Sequence, residues 1–103
     1  MGPGKVVKTP WNYYGKSISF KGTVGVVDDY PPDSALGKSG IASEIVIECV
    51  DGTIVDFLSL VPSGDIQMNQ QVIITGYPIG RTEVNNTLGG KFAHLIVVTN
   101  KLK

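Results

Sequence analysis

Glycine and proline divide this chain into short segments, and this punctuation constrains the fold more than any other feature. The 103 residues include 13 glycines and 6 prolines. Between them lie short runs rich in valine, isoleucine, threonine and phenylalanine. Apolar residues alternate in these runs, and no stretch sustains the three- and four-residue spacing of an amphipathic helix. The chain is therefore predicted to be all-β, with little or no helix.

Five segments carry the strand pattern. We expect strands over residues 17–27, 43–50, 53–60, 71–80 and 91–99. Gly22 and Gly25 inside the first segment indicate a bulge or kink, which is how a small sheet curls into a barrel. The expected core is the apolar set on one face of these strands: Ile18, Phe20, Val24, Ile45, Ile47, Val55, Phe57, Val72, Ile74 and Ile96.

The turn after the second strand allows two registers. A two-residue Asp51-Gly52 turn would put Asp56 on the core face, whereas a three-residue loop with a left-handed Gly52 puts Val55 and Phe57 there. We prefer the second register because it buries no carboxylate. Asp56 is then exposed on the outer face, together with Val46, Glu48 and Ile54.

The order of these elements fits a five-stranded Greek-key barrel, the OB-fold. We expect a closed or nearly closed antiparallel barrel formed by residues 9–103, preceded by a disordered or extended segment over residues 1–8. An SH3-like barrel is the main competing fold, but it lacks a sizeable connector between its third and fourth strands. Residues 61–70 form such a connector here, and we expect no long helix in it.

Three short motifs resemble the tRNA-anti-like family of bacterial OB-fold domains. PWNYYGK at residues 10–16 is similar to the family's NPxxYxGK opening, although Trp11 departs from it and Thr9 replaces the usual asparagine. FKGTV at residues 20–24 is similar to its first strand, and TLGG at residues 87–90 to the signature before its last strand. The resemblance implies an OB-fold and an extracytoplasmic place, often within exported lipoproteins of unknown role. It does not by itself imply RNA binding.

Composition and chemistry weaken enzymatic interpretations. Lys and Arg together number 9, as do Asp and Glu, so the formal charge is zero. We find no catalytic motif and expect no enzyme, cofactor or metal. His94, on the parity assigned to the core, and Cys49, in an apolar strand face, are interpreted as structural. The cluster Asp28, Asp29 and Asp33 lacks calcium-loop spacing and is interpreted as a solvated turn.

Candidate ligand contacts lie in and beside the two long polar loops, residues 28–42 and 81–90. They are Arg81, Asn85, Asn86, Lys91, Tyr77, Lys21 and Trp11. Arg81 is the single arginine of the chain, so bidentate recognition of a carboxylate or phosphate would depend on it. Among the aromatic residues before the first strand, Tyr14 is expected to plug the barrel end.

Two functions compete. The first is a non-catalytic binding module for a protein or other polymer. The second is a single-stranded nucleic-acid binder, in which Arg81, Lys91, Lys21 and Tyr77 would line the groove; the neutral charge does not favour it. No apolar run reaches the roughly 20 residues of a membrane span. The sequence leaves open whether edge strands pair between two copies of the chain.

Overall fold

The protein forms a small β-barrel with short helical segments at its N-terminus and in one loop. A computed structural model describes residues 3–85, 91–100 and 102, with the backbone alone for residues 3, 83–85 and 91–93. The strands are β1 (Ile18–Asp29), β2 (Ser43–Cys49), β3 (Ile54–Ser59), β4 (Gln71–Asn85) and β5 (Lys91–Thr99). The helical segments are α1 (Pro3–Lys8), a 3₁₀-helix (Pro10–Tyr13) and α2 (Ala35–Lys38). The all-β prediction with little helix is confirmed.

The five strands close into a ring in the order β1-β2-β3-β5-β4. Four neighbouring pairs are antiparallel, but β3 and β5 run parallel. The expectation of a wholly antiparallel barrel is therefore wrong in this one pair. The reason is geometric, because strand directions can alternate around a closed ring only when the number of strands is even.

The core lies inside this ring, and β5 contributes a different face from the one expected. Leu95 and Val97 are fully buried, whereas Ile96 and His94 are half-buried on the outside. Pairing with β3 explains the correction, since Leu95 lies opposite Val55 and Val97 opposite Phe57. Because β5 is apolar on both parities, alternation alone could not choose its inner face.

The other predicted core residues lie inside the barrel, with one exception. Those that are buried as expected are Phe20, Val24, Ile45, Ile47, Val55, Phe57, Val72 and Ile74. Ile18 is half-buried, because it is the first residue of β1 and packs against the core from the barrel end. The rings of Phe20 and Phe57 meet edge to face at 5.9 Å between centroids.

The β2–β3 hairpin adopts the preferred register. Gly52 has φ +87°, a left-handed conformation that favours glycine, and Val55 and Phe57 are buried. Asp56 lies on the outer face as predicted. Its expected exposure is wrong, since the side chain is half-buried between neighbouring strands.

The N-terminal segment differs from the disordered or extended stretch expected for residues 1–8. Pro3–Lys8 form a helix, and Val6 is fully buried in the core cluster. The backbone N–H of Gly4 donates to Asp51 Oδ2 at 3.1 Å. A six-residue helix is marginal alone, so these tertiary contacts explain why it forms.

The aromatic residue that packs against the core from this side is Tyr13, not Tyr14. Tyr14 is 49% exposed, whereas Tyr13 is half-buried on the core cluster. Tyr13 is the last residue of the 3₁₀-helix, and that turn directs it towards the barrel. None of the described helices is long and apolar enough to cross a membrane.

The long connections are anchored by buried polar contacts. Asp29 accepts hydrogen bonds from Ser63 N at 2.9 Å and from Ser63 Oγ at 2.7 Å. These bonds hold the pKa of Asp29 below its ordinary value and fix the start of the β3–β4 connector. Asp29 therefore serves the fold, and the connector contains no helix, as predicted.

Strand β4 is longer than predicted. It continues to Asn85 along β5, so residues 81–85 are the arm of a hairpin and not part of an open loop. The last β1–β4 pair is Ile18 with Gly76, and beyond it β4 has β5 as its hydrogen-bonded neighbour. Pairing between two copies stays a prediction. It would use strand segments that lack a neighbour on one side, such as β4 beyond Gly76.

We expect Gly22→Ala to destabilise the barrel, because a Cβ at position 22 would lie 2.5 Å from the backbone oxygen of Glu48. Overpacking of this kind costs about 1–3 kcal/mol, measurable by urea unfolding. Gly25→Ala is the matched control in the same strand, since its nearest neighbour would be 3.9 Å away. Equal losses in the two variants would contradict the close approach at Gly22.

Candidate functional site

The outer surface of the barrel carries an apolar surface that spans four strands. We call it the outer patch, and it consists of Val46, Ile54, Leu58, Ile96, Val98 and Tyr77. Strand pairing aligns these residues in rows across the sheet. The first row runs Asp28, Glu44, Leu58, Val98, Tyr77, and the second runs Val26, Val46, Asp56, Ile96, Gly80. The third runs Thr23, Glu48, Ile54, His94, Thr82.

The sequence of β5 explains why this surface is apolar. Leu95, Ile96, Val97 and Val98 are consecutive, so one pair fills the core and the other faces outward. Strands that read as continuous apolar runs are typical of sheets covered on both faces. Five residues of the outer patch are half-buried, and Tyr77 at its edge is 47% exposed.

Asp56 stands at the centre of the outer patch. Its cross-strand neighbours are Val46 and Ile96, and Ile54 and Leu58 flank it along β3. These positions enclose the carboxyl group in apolar surroundings, and Asp56 Oδ1 is buried with no hydrogen-bond partner. An ionised carboxylate is strongly disfavoured in such a place.

Glu44 and Tyr30 complete the polar cluster around Asp56. The Tyr30 hydroxyl donates to Glu44 Oε1 at 2.5 Å, and the Glu44 and Asp56 carboxyl groups lie close enough to form a hydrogen bond when one of them is protonated. Tyr30 begins the β1–β2 loop, where its backbone N–H donates to the carbonyl of Ala42 at 2.9 Å. One hydroxyl therefore connects that loop to the centre of the outer patch.

The pKa values of the two carboxyl groups are shifted in opposite directions. Burial, followed by the hydrogen bond and charge of Glu44, raises the pKa of Asp56 to about 8. The hydrogen bonds from Asp56 and Tyr30 lower the pKa of Glu44 despite its burial. Glu44 raises the pKa of Tyr30 to about 12. At neutral pH Asp56 therefore holds the proton and Glu44 carries the charge.

Arg81 and Trp11 are brought together, but by the protein's own N-terminal segment. Arg81 Nη1 donates to the carbonyl oxygens of Val7 at 3.1 Å and Lys8 at 2.8 Å. Its Cζ lies 5.6 Å from the centroid of the Trp11 ring, within cation–π range. The guanidinium thus caps the last carbonyls of α1, which is favourable for a cation at a helix C-terminus.

Of the remaining predicted ligand residues, Tyr77 and Lys21 lie elsewhere on the barrel. Tyr77 belongs to the outer patch. Lys21 pairs with Ile73, roughly 25 Å from Arg81 along β4, and lines two recesses of about 240 and 420 Å³. Asn85 and Lys91 pair in the β4–β5 arm by their backbones, while their side chains and all of Asn86 lie outside the described residues.

Cys49 and His94, interpreted as structural from the sequence, are at least half-buried in the barrel wall. Cys49 is buried as expected, and burial raises the pKa of its thiol to about 11, so the reactive thiolate is disfavoured. His94 is half-buried beside Ile54 on the outside of the barrel. The assignment of its parity to the core is therefore wrong. The described residues contain no cluster of three or more metal-ligating side chains.

The comparisons with known proteins add no assignment. The chain matches no protein-family model, and a search of curated proteins finds no match either. The resemblance of residues 10–16, 20–24 and 87–90 to the tRNA-anti-like family therefore stays a prediction.

The carboxyl cluster was missed as a site at the sequence level, although Asp56 had been assigned to the correct face. The available signal was a single carboxylate inside the run IVDFL at residues 54–58. Glu44 could be placed near it from the hairpin register. The distance in sequence between Tyr30 and Asp56 gave no indication that they belong to one cluster.

We expect Arg81→Ala to lower the free energy of unfolding by about 1 kcal/mol, since it removes two charged hydrogen bonds. It should also accelerate tryptic cleavage after Lys5 and Lys8, because α1 loses its anchor. Arg81→Lys is the control. It keeps the positive charge but not the planar guanidinium with its several donors, so it should restore only part of the lost stability. If Arg81→Ala changed neither the melting temperature nor the rate of proteolysis, the anchoring of α1 by Arg81 would be contradicted.

We expect the melting temperature to fall between about pH 5 and about pH 8. The folded protein holds the Asp56 proton up to a pKa of about 8, whereas the ordinary value is 3.8. The folded state thus binds more protons in this window, and stability decreases as pH rises. Below the window Glu44, Asp29 and Asp51, whose pKa values are lowered, lose their contributions as pH falls.

The matched variant is Asp56→Asn, which keeps the shape and a hydrogen-bond donor but cannot ionise. It should flatten the alkaline side of the profile and melt roughly 4 °C or more above the parent at about pH 9, a difference of about 1 kcal/mol. Parallel pH profiles of the two proteins would contradict a proton held by Asp56.

Proposed function

We propose that the protein is a non-catalytic binding module of the OB-fold type, which docks a polypeptide segment on the outer patch. The observation that carries this proposal is the apolar surface continued across β2, β3, β5 and β4 on the outside of a closed barrel. Exteriors of small barrels are usually polar, and contiguous apolar surface marks interaction sites.

The position of the outer patch fits this role. The row of Glu44 and Val98 lies towards the β1–β2 loop, and the row of Ile54 and His94 lies towards the start of β5. A segment laid along the strands would run from the β1–β2 loop towards the β4–β5 arm, near which ligand contact was expected from the sequence. Loops held by a rigid barrel are a common place for recognition.

The charges on this surface favour a polypeptide over a nucleic acid. The rows contain Asp28, Glu44, Glu48 and Asp56 but no lysine or arginine. Phosphate backbones are bound by cationic side chains, and single-strand binders interleave these with aromatic residues. Arg81, the cation first assigned to this task, donates to Val7 and Lys8 instead.

We expect a peptide selected from a random displayed library on the parent protein to bind at least tenfold more weakly to Val98→Lys, a loss of about 1.4 kcal/mol. Val98 lies between Leu58 and Tyr77 in its row and does not lie opposite Asp56. Ile73→Lys is the matched control, because Ile73 is exposed beside Lys21, away from the outer patch. Binding would be measured by calorimetry, and methyl resonances of Ile54, Leu58 and Ile96 would locate it.

Equal loss in the two variants, or no shift of those methyl resonances, would contradict docking at the outer patch. A parallel titration with labelled single-stranded oligonucleotides at low and high salt tests the alternative. Salt-sensitive binding at micromolar concentration would favour the nucleic-acid function and overturn the proposal.

A further inference from the structure

We propose that the proton shared by Asp56 and Glu44 is a pH-sensitive latch, which keeps the centre of the outer patch uncharged and ties the β1–β2 loop to it through Tyr30. The effect on docking rests on the proposed function, whereas the latch itself rests on the cluster alone. Three contacts define it: Tyr30 with Glu44, Glu44 with Asp56, and Asp56 within its apolar ring.

The contact between Glu44 and Asp56 depends on the shared proton, whereas Tyr30 donates its own hydroxyl proton to Glu44. With the proton in place, Asp56 donates to Glu44, and Glu44 accepts from both Asp56 and Tyr30. When the proton is lost, two carboxylates lie side by side, and the donor between them is gone. Like charges at this separation repel, and the apolar ring around Asp56 offers neither water nor a counter-charge.

The charged and titratable groups around the cluster do not offset this repulsion. From β1, Asp28 lies directly opposite Glu44, and from the loop Tyr30 is bonded to it. From β2, Glu48 lies farther along the strand, and from β5, His94 lies opposite Ile54. From β4 the rows contribute Tyr77. His94 is the one residue in these rows whose side chain can become cationic, and it lies in the row beyond Asp56.

The latch therefore has a defined direction. Below the transition the outer patch is apolar at its centre and the loop is held by Tyr30. Above the transition the centre carries a charge, which disfavours an apolar partner, and repulsion from Asp56 displaces Glu44 together with the Tyr30 hydroxyl bonded to it. Because burial of Asp56 is the largest cause of its raised pKa of about 8, a partner that covers it should hold the proton more tightly still.

The test is a carboxyl and aromatic NMR titration of the full chain, labelled with carbon-13, from about pH 5 to about pH 10. We expect the Asp56 carboxyl signal to move near pH 8, and the Tyr30 ring signals to move with the same midpoint. Amide-exchange protection of Tyr30 should fall above it. Asp33→Asn, in the same loop but outside the cluster, should leave both midpoints unchanged.

Two variants keep the test decisive. Asp56→Asn should abolish the Tyr30 transition near pH 8. If that variant does not fold, Glu44→Gln serves instead, since a neutral amide that donates to Asp56 should move its midpoint down towards the ordinary range. An Asp56 midpoint below about pH 6, or an Asp56 transition that the Tyr30 ring does not follow, would overturn the latch.

This experiment fails separately from the test of docking. The titration uses no partner, so a missing transition refutes the latch while peptide binding at the outer patch can still be observed. If both hold, the affinity of the selected peptide should decrease by about tenfold for each pH unit above the transition, the limit for one linked proton. An affinity that is flat across this range would overturn the effect of the latch on docking.

Discussion

Closure of five strands through the parallel β3–β5 pair is the constraint on which the rest of the structure depends. The register of this pair aligns Leu95 with Val55 and Val97 with Phe57, which fills the core. The same register leaves Ile96 and Val98 outside, next to Asp56 and Leu58. The outer patch is thus centred on the outer face of the β3–β5 strand pair that closes the barrel.

A carboxyl group in the middle of that surface is a local conflict within an otherwise consistent fold. Asp56 interrupts a strand of good β-formers, and its neighbours on both adjoining strands are apolar. Natural sequences tend to violate such rules at functional sites. Glu44 reduces this conflict, because protonated Asp56 can donate a hydrogen bond to it. Tyr30 donates a second hydrogen bond to Glu44, which stabilises the Glu44 carboxylate.

Much of the fold could be predicted from the sequence, because alternation and turn chemistry are local signals. The hairpin register followed from Gly52 and from the cost of burying a carboxylate, and both Val55 and Phe57 are inside as expected. The inner face of β5 could not be predicted, because Leu95–Val98 are apolar on both parities and only pairing with β3 decides. The helix at Pro3–Lys8 was equally hidden, since its stabilising contacts come from distant residues.

In the candidate site, too, contacts between residues distant in sequence could not be predicted. Arg81 was identified from its uniqueness, yet its hydrogen bonds lead to carbonyls 73 and 74 residues away in the chain. Composition indicates which side chains are rare, but not which backbone groups the fold will bring to them. Tyr30, Glu44 and Asp56 are ordinary residues by type, and they form a cluster only because β1, β2 and β3 are adjacent.

Burial of Val6 sets an order in which the molecule can be completed during synthesis. Val6 leaves the ribosome early, but the segment that carries it packs against β4 and β5, and its anchor Arg81 lies on β4. Domains generally fold as units while the chain is being made. The first helix therefore cannot complete its packing until β4 and β5 have both emerged.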